Sequence, residues 1–306
     1  MIGSSLPAPV LKWAGGKRQL LPHLRRFYPA EFASYIEPFV GSGAVFFDLW
    51  ASGRLRGAVR LSDENADLIG TYLRLADSAD ALITALERLA SGHAQDGRAH
   101  YYAVRDRRFN PGRARWRDDG GCASDYPVRL AAMMLYLNRT GYNGLFRLNR
   151  RGEFNVPAGR YLAPRIAITE RLRGAAEALA APNVELRCCP FDEAIKNASR
   201  GDFVYLDPPY APLSTTANFR SYTAVGFAEA DQERLRDAVI GAAERGARIL
   251  LSNSVAPQVV RLYDSPPAKR AGLRALRVPA RRAINSRASL RGPIEELLVT
   301  NLPEQH

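Results

Sequence analysis

A carboxylate, two prolines and an aromatic ring follow one another at the end of a predicted strand. The apolar run 203–206 leads directly into Asp207, Pro208, Pro209 and Tyr210. Open α/β sheets bind their ligands at the carboxyl ends of such strands. Asp207 and the Pro208 carbonyl could each accept an N–H of an exocyclic amine on a planar base, which frees its lone pair, while Tyr210 stacks on the ring. This set predicts methylation of such an amine, and a plain Asp–Pro turn after a buried strand is the alternative.

A glycine turn forms a second candidate site. The predicted strand 35–39 is followed by Gly41, Gly43 and a helix, and Asp63 closes the next strand 22 residues after Gly41. A glycine turn with an acid about 20 residues later is typical of a nucleoside site, where the acid takes ribose hydroxyls. Phe46 replaces the third glycine of a dinucleotide fingerprint, so a nucleoside without phosphates, such as S-adenosylmethionine, fits better than NAD. A tight strand-to-helix turn without a ligand is the alternative.

Near the N-terminus, the segment LKWAGGK (residues 11–17) only superficially suggests a phosphate loop. Leu11 stands where that loop needs a glycine, and Arg18 stands where it needs Ser or Thr. Lys17 could instead neutralise a carboxylate, with Trp13 as an aromatic wall. The alternative is a surface lysine beside a partly buried tryptophan.

Two basic stretches suggest contacts with nucleic acid. Residues 137–161 interleave arginine and asparagine with aromatic side chains, and a turn at 149–152 predicts a β-hairpin able to enter a groove. Residues 274–291 hold six arginines, which suit phosphate contacts. In both stretches a solvated basic surface is the alternative.

The composition of the chain limits the classes of partner and cofactor that we expect. The 306 residues carry 43 Lys and Arg against 31 Asp and Glu, a net charge of +12, so we expect an anionic partner. We expect nucleic acid rather than a membrane, because no run reaches the roughly 18 to 20 apolar residues of a spanning helix. The absence of a leader pattern predicts a cytoplasmic protein. Three cysteines and four scattered histidines offer no zinc spacing, so we expect no metal.

The elements that must position these residues alternate between strand and helix patterns, which predicts an α/β fold with a mostly parallel sheet. The clearest strands are 35–39, 59–62, 203–206, 249–252 and 296–300, and the clearest helices are 44–50 and 231–244. Residues 77–182 read as an inserted, mostly helical DNA-binding domain, which leaves 1–76 and 183–306 as the catalytic domain. Within the insert we expect a mobile loop at 110–121, which is polar and glycine-rich.

Six pieces of the chain, in this order, resemble one known family. They are Leu11 to Lys17, Glu37 to Gly43 (EPFVGSG), Ser62 to Asn65 (SDEN), Leu137 to Tyr161, Asp207 to Tyr210 and Leu251 to Asn253 (LSN). The chain thereby resembles DNA adenine-N6 methyltransferases of the Dam type, the D12 class with GATC-methylating members. The resemblance implies a Rossmann-like S-adenosylmethionine-dependent domain with an inserted target-recognition domain that carries the hairpin. Residues around 110–125 look like an insertion relative to this family.

The resemblance also implies roles for particular residues. The methyl donor would be bound by Trp13, Lys17, Glu37, Gly41, Asp63 and Asp207, with Phe191 or Asp192 near its adenine. Catalysis on a flipped adenine would use Asp207, Pro208, Pro209 and Tyr210. Double-stranded DNA would be contacted by Lys12, Tyr142, Asn143, Leu145, Arg147, Pro157, Arg160 and Tyr161, and Arg147 would read a guanine of GATC.

Other functions stay open at this point. An RNA adenine or DNA cytosine-N4 methyltransferase could use the same four catalytic residues, although the hairpin argues against both. A non-catalytic DNA-binding protein of the same fold is the rival from another class. The sequence leaves the oligomeric state open, a monomer included.

Overall fold

The fold is mixed α/β, as predicted, and is built on a seven-stranded sheet. The computed structural model describes residues 7–13, 15–211, 227–281 and 293–305. The strands are β1 Ser34–Glu37, β2 Ala58–Asp63, β3 Val184–Cys188, β4 Asp202–Leu206, β5 Arg248–Ser254, β6 Arg274–Arg281 and β7 Pro293–Thr300. Their order is β3-β2-β1-β4-β5-β7-β6. Strands β2, β1, β4 and β5 pair in parallel, whereas β7 is antiparallel to both β5 and β6.

Eleven α-helices lie within the described residues, and none of them has the length and apolarity that crossing a membrane requires. They are α1 Leu21–Arg25, α2 Ala44–Ala51, α3 Ala66–Asp77, α4 Ala79–Val104, α5 Asn110–Asp118, α6 Val128–Thr140, α7 Thr169–Leu179, α8 Phe191–Ile195, α9 Glu229–Glu244, α10 Pro257–Tyr263 and α11 Pro266–Arg270. Local capping explains one start, because Asn65 accepts a hydrogen bond from the Leu68 N–H at 3.1 Å and so begins α3.

The chain divides into two compact units. The first unit contains Met1–Gly16, Gly41–Ser52 and Asn65–Cys188, and the second contains Lys17–Val40, Gly53–Glu64 and Cys189–His306. In the first unit, α3 packs on α6 and α7, and α4 packs on α6. The sequence analysis divided the chain by function, into a catalytic domain of residues 1–76 and 183–306 and a DNA-binding domain of residues 77–182. That functional division stays a prediction.

The second unit is organised around the central strands β4 and β5. Val204, Leu206, Ile249 and Leu251 are fully buried and belong to one apolar cluster with Leu235 and Val239 of α9. Burying aliphatic side chains of this size stabilises the fold by about 1.5–3 kcal/mol each. The strands on which the predicted catalytic residues depend therefore lie in the most buried part of this unit.

One expectation about a basic segment was wrong. Residues 110–121 were expected to form a mobile loop, but 110–118 form α5, since Gly112, Arg113 and Trp116 are buried on one side of it. In the other basic segment, 274–291, residues 274–281 form β6, paired along its length with β7, and its phosphate contacts stay a prediction. Arg277 of this strand has an acidic partner, with Nη1 3.1 Å from Glu295 Oε2. The rest of that segment, 282–291, lies outside the described residues.

Candidate active site

Asp207 is the first residue after β4, between the neighbouring strands β1 and β5. Its carboxylate lies 2.8 Å from the Lys17 ammonium and accepts a hydrogen bond from the Ser252 hydroxyl at 3.0 Å. Burial raises the pKa of Asp207 above its usual value, and the Lys17 charge and the Ser252 hydrogen bond act in the opposite direction. The site thus holds an oriented carboxylate that protonates more readily than one in water.

Tyr210 is held by contacts to its hydroxyl and to one face of its ring. Its hydroxyl donates a 2.6 Å hydrogen bond to Glu296 of β7, and the Lys17 ammonium lies 4.4 Å from the centre of its ring. Burial, with Asp207 and Glu296 nearby, raises the pKa of Tyr210 well above its usual value, so the phenol stays neutral. One face of the ring is therefore covered by a cation.

Pro208 and Pro209, which lie between Asp207 and Tyr210, are also held in place. Pro208 is buried, and the carbonyl of Pro209 accepts a hydrogen bond from Gln232 Nε2 at 3.1 Å. Gln232 is itself held through Oε1 by Asn253 Nδ2 at 3.0 Å. The Pro209 carbonyl is thus already engaged, and the role of the Pro208 carbonyl as acceptor for a substrate amine stays a prediction. Residues 212–226, which follow this loop, lie outside the described residues.

Three residues that the sequence analysis did not select for chemistry support this site. Ser252, Gln232 and Glu296 each hydrogen-bond a member of the sequence 207–210 or its backbone. Ser252 lies in the LSN motif, which was noted as part of the family resemblance but given no role. Glu296 begins the predicted strand 296–300, and only its pairing across the sheet reveals its contact with Tyr210.

The second unit also holds the predicted cofactor-binding acids. Glu37 and Asp63 end β1 and β2, which run parallel to β4, so these two acids and Asp207 lie at the same end of the sheet. Glu37 is 2% exposed and accepts a 2.8 Å hydrogen bond from the Tyr35 hydroxyl. Phe191 is buried and stacks on Phe39 with ring centres 5.4 Å apart. The resemblance had placed Phe191 near the cofactor adenine.

The other two predicted cofactor-binding residues, Trp13 and Gly41, meet in the first unit. Gly41 has φ +46, and a Cβ added there would lie 2.9 Å from Trp13 Cδ1. The Gly41 carbonyl accepts a 2.7 Å hydrogen bond from Tyr72. Trp13 also stacks on Phe146, with ring centres 5.8 Å apart. The glycine is therefore needed for both backbone conformation and space.

The predicted DNA-binding residues all lie in the first unit. The Lys12 ammonium sits 4.5 Å from the Tyr161 ring centre. Asn138 holds the Lys12 backbone by accepting from its N–H at 2.8 Å and donating to its carbonyl at 2.7 Å. The Tyr142 N–H donates to the Pro157 carbonyl at 2.9 Å. The exposed members of the set are Lys12, Tyr142, Pro157, Arg160 and Tyr161, and the partly exposed ones are Asn143, Leu145 and Arg147.

The predicted turn at 149–152 is present, but the hairpin is short. Its two arms are joined near the turn by the β-bridge Leu148 to Phe154, with backbone bonds from the Asn149 N–H to the Glu153 carbonyl at 2.8 Å and from the Asn155 N–H to the Arg147 carbonyl at 3.1 Å. A second bridge joins Gly141 to Ala158. Arg147 Nε donates to Asn155 Oδ1 at 2.7 Å and its Nη2 donates to the Asn155 carbonyl at 3.5 Å, so the guanidinium is tied to the opposite arm.

Within residues 7–13, 15–211, 227–281 and 293–305, no three His, Cys, Asp or Glu side chains are grouped as a metal ion would require. That the reaction needs no metal stays a prediction.

Comparison with known proteins covers nearly the whole chain. A family model of the D12 class of N6 adenine-specific DNA methyltransferases matches residues 13–284. The type II methyltransferase M1.LlaDCHI of Lactococcus lactis subsp. cremoris is 36% identical over 293 residues, which cover 96% of this chain and 95% of the relative. The DNA adenine methylase of Escherichia coli K12 is 35% identical, also over 293 residues, with coverages of 96% and 95%.

Similarity to solved structures is weaker. Precorrin-6y C5,15-methyltransferase from Geobacter metallireducens is 9% identical, with 96% of this chain and 97% of that chain covered and a TM-score of 0.35. The chain belongs to the D12 class of N6 adenine-specific DNA methyltransferases, and it is an enzyme that methylates adenine in DNA.

Proposed function

We propose that this enzyme transfers a methyl group from S-adenosylmethionine to N6 of an adenine flipped out of double-stranded DNA, within the sequence GATC. The observation that carries the proposal is the geometry at the end of β4, where Lys17 and Ser252 orient the Asp207 carboxylate and Glu296 fixes Tyr210. Action in the cytoplasm and without a metal ion belongs to the same proposal.

The residues fit the cofactor that the family implies. S-adenosylmethionine carries a carboxylate, an ammonium group and ribose hydroxyls, and it supplies an electrophilic methyl on a sulfonium. The buried Lys17 offers a cation, while Glu37 and Asp63 offer acceptors at one end of the sheet. Gly41 leaves room beside Trp13 that a Cβ would fill. The proposed cofactor-binding set is therefore Trp13, Lys17, Glu37, Gly41, Asp63 and Asp207.

The catalytic step is derived from the residues 207–210. Asp207 and the Pro208 carbonyl each accept one N–H of the adenine amine, so the nitrogen becomes tetrahedral and its lone pair is available. The N–CH₃ bond forms as the S–CH₃ bond breaks, and N6 then loses one proton. Asp207, whose pKa is raised by burial, is the proposed base for that proton. Tyr210 stacks on the base. Because the Lys17 ammonium covers one face of the Tyr210 ring, the base stacks on the opposite face, or the ammonium moves aside.

Target recognition is assigned to the first unit. Arg147 presents its guanidinium to a guanine, whose O6 and N7 match a bidentate fork. The other proposed DNA contacts are Lys12, Tyr142, Asn143, Leu145, Pro157, Arg160 and Tyr161. Support comes from the hairpin turn and from the exposure of five of these residues.

The test is transfer of labelled methyl groups to duplexes that differ only in containing GATC or a scrambled version of it. We expect label in the GATC duplex alone, at adenine N6. Labelling of both duplexes would contradict the assigned target, and labelling of cytosine or of RNA in a parallel panel would contradict the assigned base. Wild-type enzyme with S-adenosylhomocysteine added in excess provides the control for cofactor-dependent transfer.

A further inference from the structure

Helix α5 holds the turn of the hairpin through a buried arginine. Arg113 is 6% exposed, and its Nε lies 2.7 and 2.8 Å from the two carboxylate oxygens of Asp67. The same guanidinium donates from Nη1 to the carbonyl of Gly152, the last residue of the hairpin turn. Asp67 is anchored in turn by the Tyr126 hydroxyl at 2.9 Å. One planar fork thus joins the core of the first unit to the turn.

A second residue of α5 holds the returning arm. Asn110 donates to the Phe154 carbonyl at 3.0 Å and accepts from the Phe154 N–H at 2.9 Å, as a neighbouring strand would. The next contact along this arm is made by α4 and the turn after it, since Tyr101 and Arg105 both donate to the Val156 carbonyl at 2.9 Å. Side chains therefore add to the few backbone hydrogen bonds that this arm makes with the opposite arm.

The support matters because the hairpin has little pairing of its own. Its arms share two isolated bridges, Leu148 to Phe154 and Gly141 to Ala158, and an isolated two-stranded hairpin is at best marginally stable in water. Arg147 is tied to Asn155, the residue next to Phe154. Whatever fixes Phe154 therefore also fixes the residue on which the Arg147 guanidinium rests.

We propose that Asn110 and Arg113 are positioning residues that set the sequence discrimination of this enzyme by holding the hairpin for Arg147. The proposal rests on the proposed function, which assigns target recognition to that hairpin. It gives the segment around 110–125 a role that the family resemblance does not supply. Neither residue touches DNA, cofactor or the reacting atoms in this scheme.

Two substitutions test the proposal in the full-length enzyme. Asn110→Ala removes both bonds to Phe154 without leaving a buried charge. Arg113→Lys keeps a positive charge beside Asp67, but an ammonium lacks the planar fork that reaches Gly152 at the same time. Arg113→Ala is avoided because it would strand the Asp67 carboxylate in the core. Arg115→Ala is the matched control, since Arg115 is an exposed arginine on the same helix.

The readout is kcat/KM for methyl transfer to a GATC duplex and to duplexes with one base pair replaced. We expect Asn110→Ala to lower the preference for GATC by roughly tenfold, and Arg113→Lys to lower it less. At saturating GATC duplex, kcat and the cofactor affinity should stay within about twofold of wild type. Arg115→Ala should keep the wild-type preference.

The outcomes separate the two proposals. A merely structural role would lower kcat and cofactor binding together with an unchanged preference, and this result would overturn the inference. Unchanged kinetics in both variants, with a wild-type enzyme that prefers GATC, would overturn the inference alone. A wild-type enzyme that methylates adenine in every duplex equally would overturn the proposed target and the inference with it.

Discussion

At the level of single residues, Asp207 meets two opposing demands. The proposed reaction needs a carboxylate that accepts hydrogen bonds, yet burial favours the protonated form. Lys17 and Ser252 oppose the effect of burial by favouring the charged form, with an ion pair of 2.8 Å and a hydrogen bond of 3.0 Å. In the proposed mechanism these two residues therefore support the charge state on which the four-residue motif depends.

Removal of this carboxylate should stop the chemistry and spare binding. We expect Asp207→Ala to lower kcat by at least about 100-fold, because the amine loses its oriented acceptor. Binding of the GATC duplex, measured by fluorescence anisotropy, should change little. Asp237→Ala, which removes an exposed carboxylate on α9, is the control and should keep wild-type activity. Equal loss of DNA binding in Asp207→Ala would mean that Asp207 is structural.

The pH dependence follows from the same contacts. Activity requires the Asp207 carboxylate, so the rate should fall as pH decreases through the pKa of this group, which burial raises. The Ser252 hydroxyl donates to the charged form and thus lowers that pKa. Ser252→Ala should move the acid limb of the kcat profile to higher pH, and the plateau at alkaline pH should change little. An acid limb that stays in place or moves to lower pH would contradict the role of Ser252.

Sequence discrimination has its own residue-level prediction. Loss of a bidentate contact to one guanine is worth about 1–3 kcal/mol of discrimination. Arg147→Ala should therefore relax the preference at one G·C pair by that amount, as measured by kcat/KM on singly substituted duplexes. Arg150→Ala, an exposed arginine in the adjacent turn, is the matched control. Equal loss at all four base pairs would remove Arg147 from base reading.

At the level of elements, the turn between β1 and α2 depends on Gly41. Its φ is +46, and a Cβ there would meet Trp13 at 2.9 Å. Gly53 has φ +67 but no atom within 4 Å of an added Cβ, so it isolates conformational strain from crowding. Both turns thus need glycine for their backbone conformation, but only the turn at Gly41 also needs the space that a Cβ would fill.

Gly41→Ala and Gly53→Ala should consequently separate stability from cofactor binding. Each should lose about 1–2 kcal/mol of unfolding free energy, the cost of placing a side chain in the left-handed region. Only Gly41→Ala should weaken binding of S-adenosylmethionine, measured by calorimetry, because Trp13 has to shift. If both variants bind the cofactor as wild type does, Gly41 has no part in the cofactor site.

Periodicity and local chemistry predicted the elements that are apolar and missed those that are not. Strands β1, β2, β4, β5 and β7 carry apolar runs, whereas β3 (VELRC) is polar and largely exposed and β6 (RALRVPAR) is rich in arginine. Helix α5 was predicted as a loop because Pro and Gly stand at its start, and the burial of Arg113 and Trp116 outweighs that signal. Likewise, the motif at 207–210 was evident from the sequence, but its partners Ser252 and Glu296 become adjacent only through strand pairing.

At the level of the whole molecule, the net charge of +12 and the proposed base-reading residues are expected to affect DNA binding differently. Contacts between cations and phosphates act on any DNA sequence and release bound counterions. Base contacts add discrimination but little to the long-range attraction. Affinity and selectivity are therefore expected to respond differently to salt.

Raising the salt concentration should weaken DNA binding steeply and leave the choice of site nearly unchanged. A protein that neutralises 6–10 phosphates loses roughly 10³–10⁵ in affinity between 50 and 200 mM salt. We expect affinities for GATC and scrambled duplexes to fall in parallel, with a constant ratio between them. Arg160→Ala, at an exposed position, should reduce the slope of log K against log salt by about 1 for both duplexes, whereas Arg147→Ala should reduce the ratio. A ratio that collapses as salt rises would mean that phosphate contacts, not base contacts, supply the selectivity.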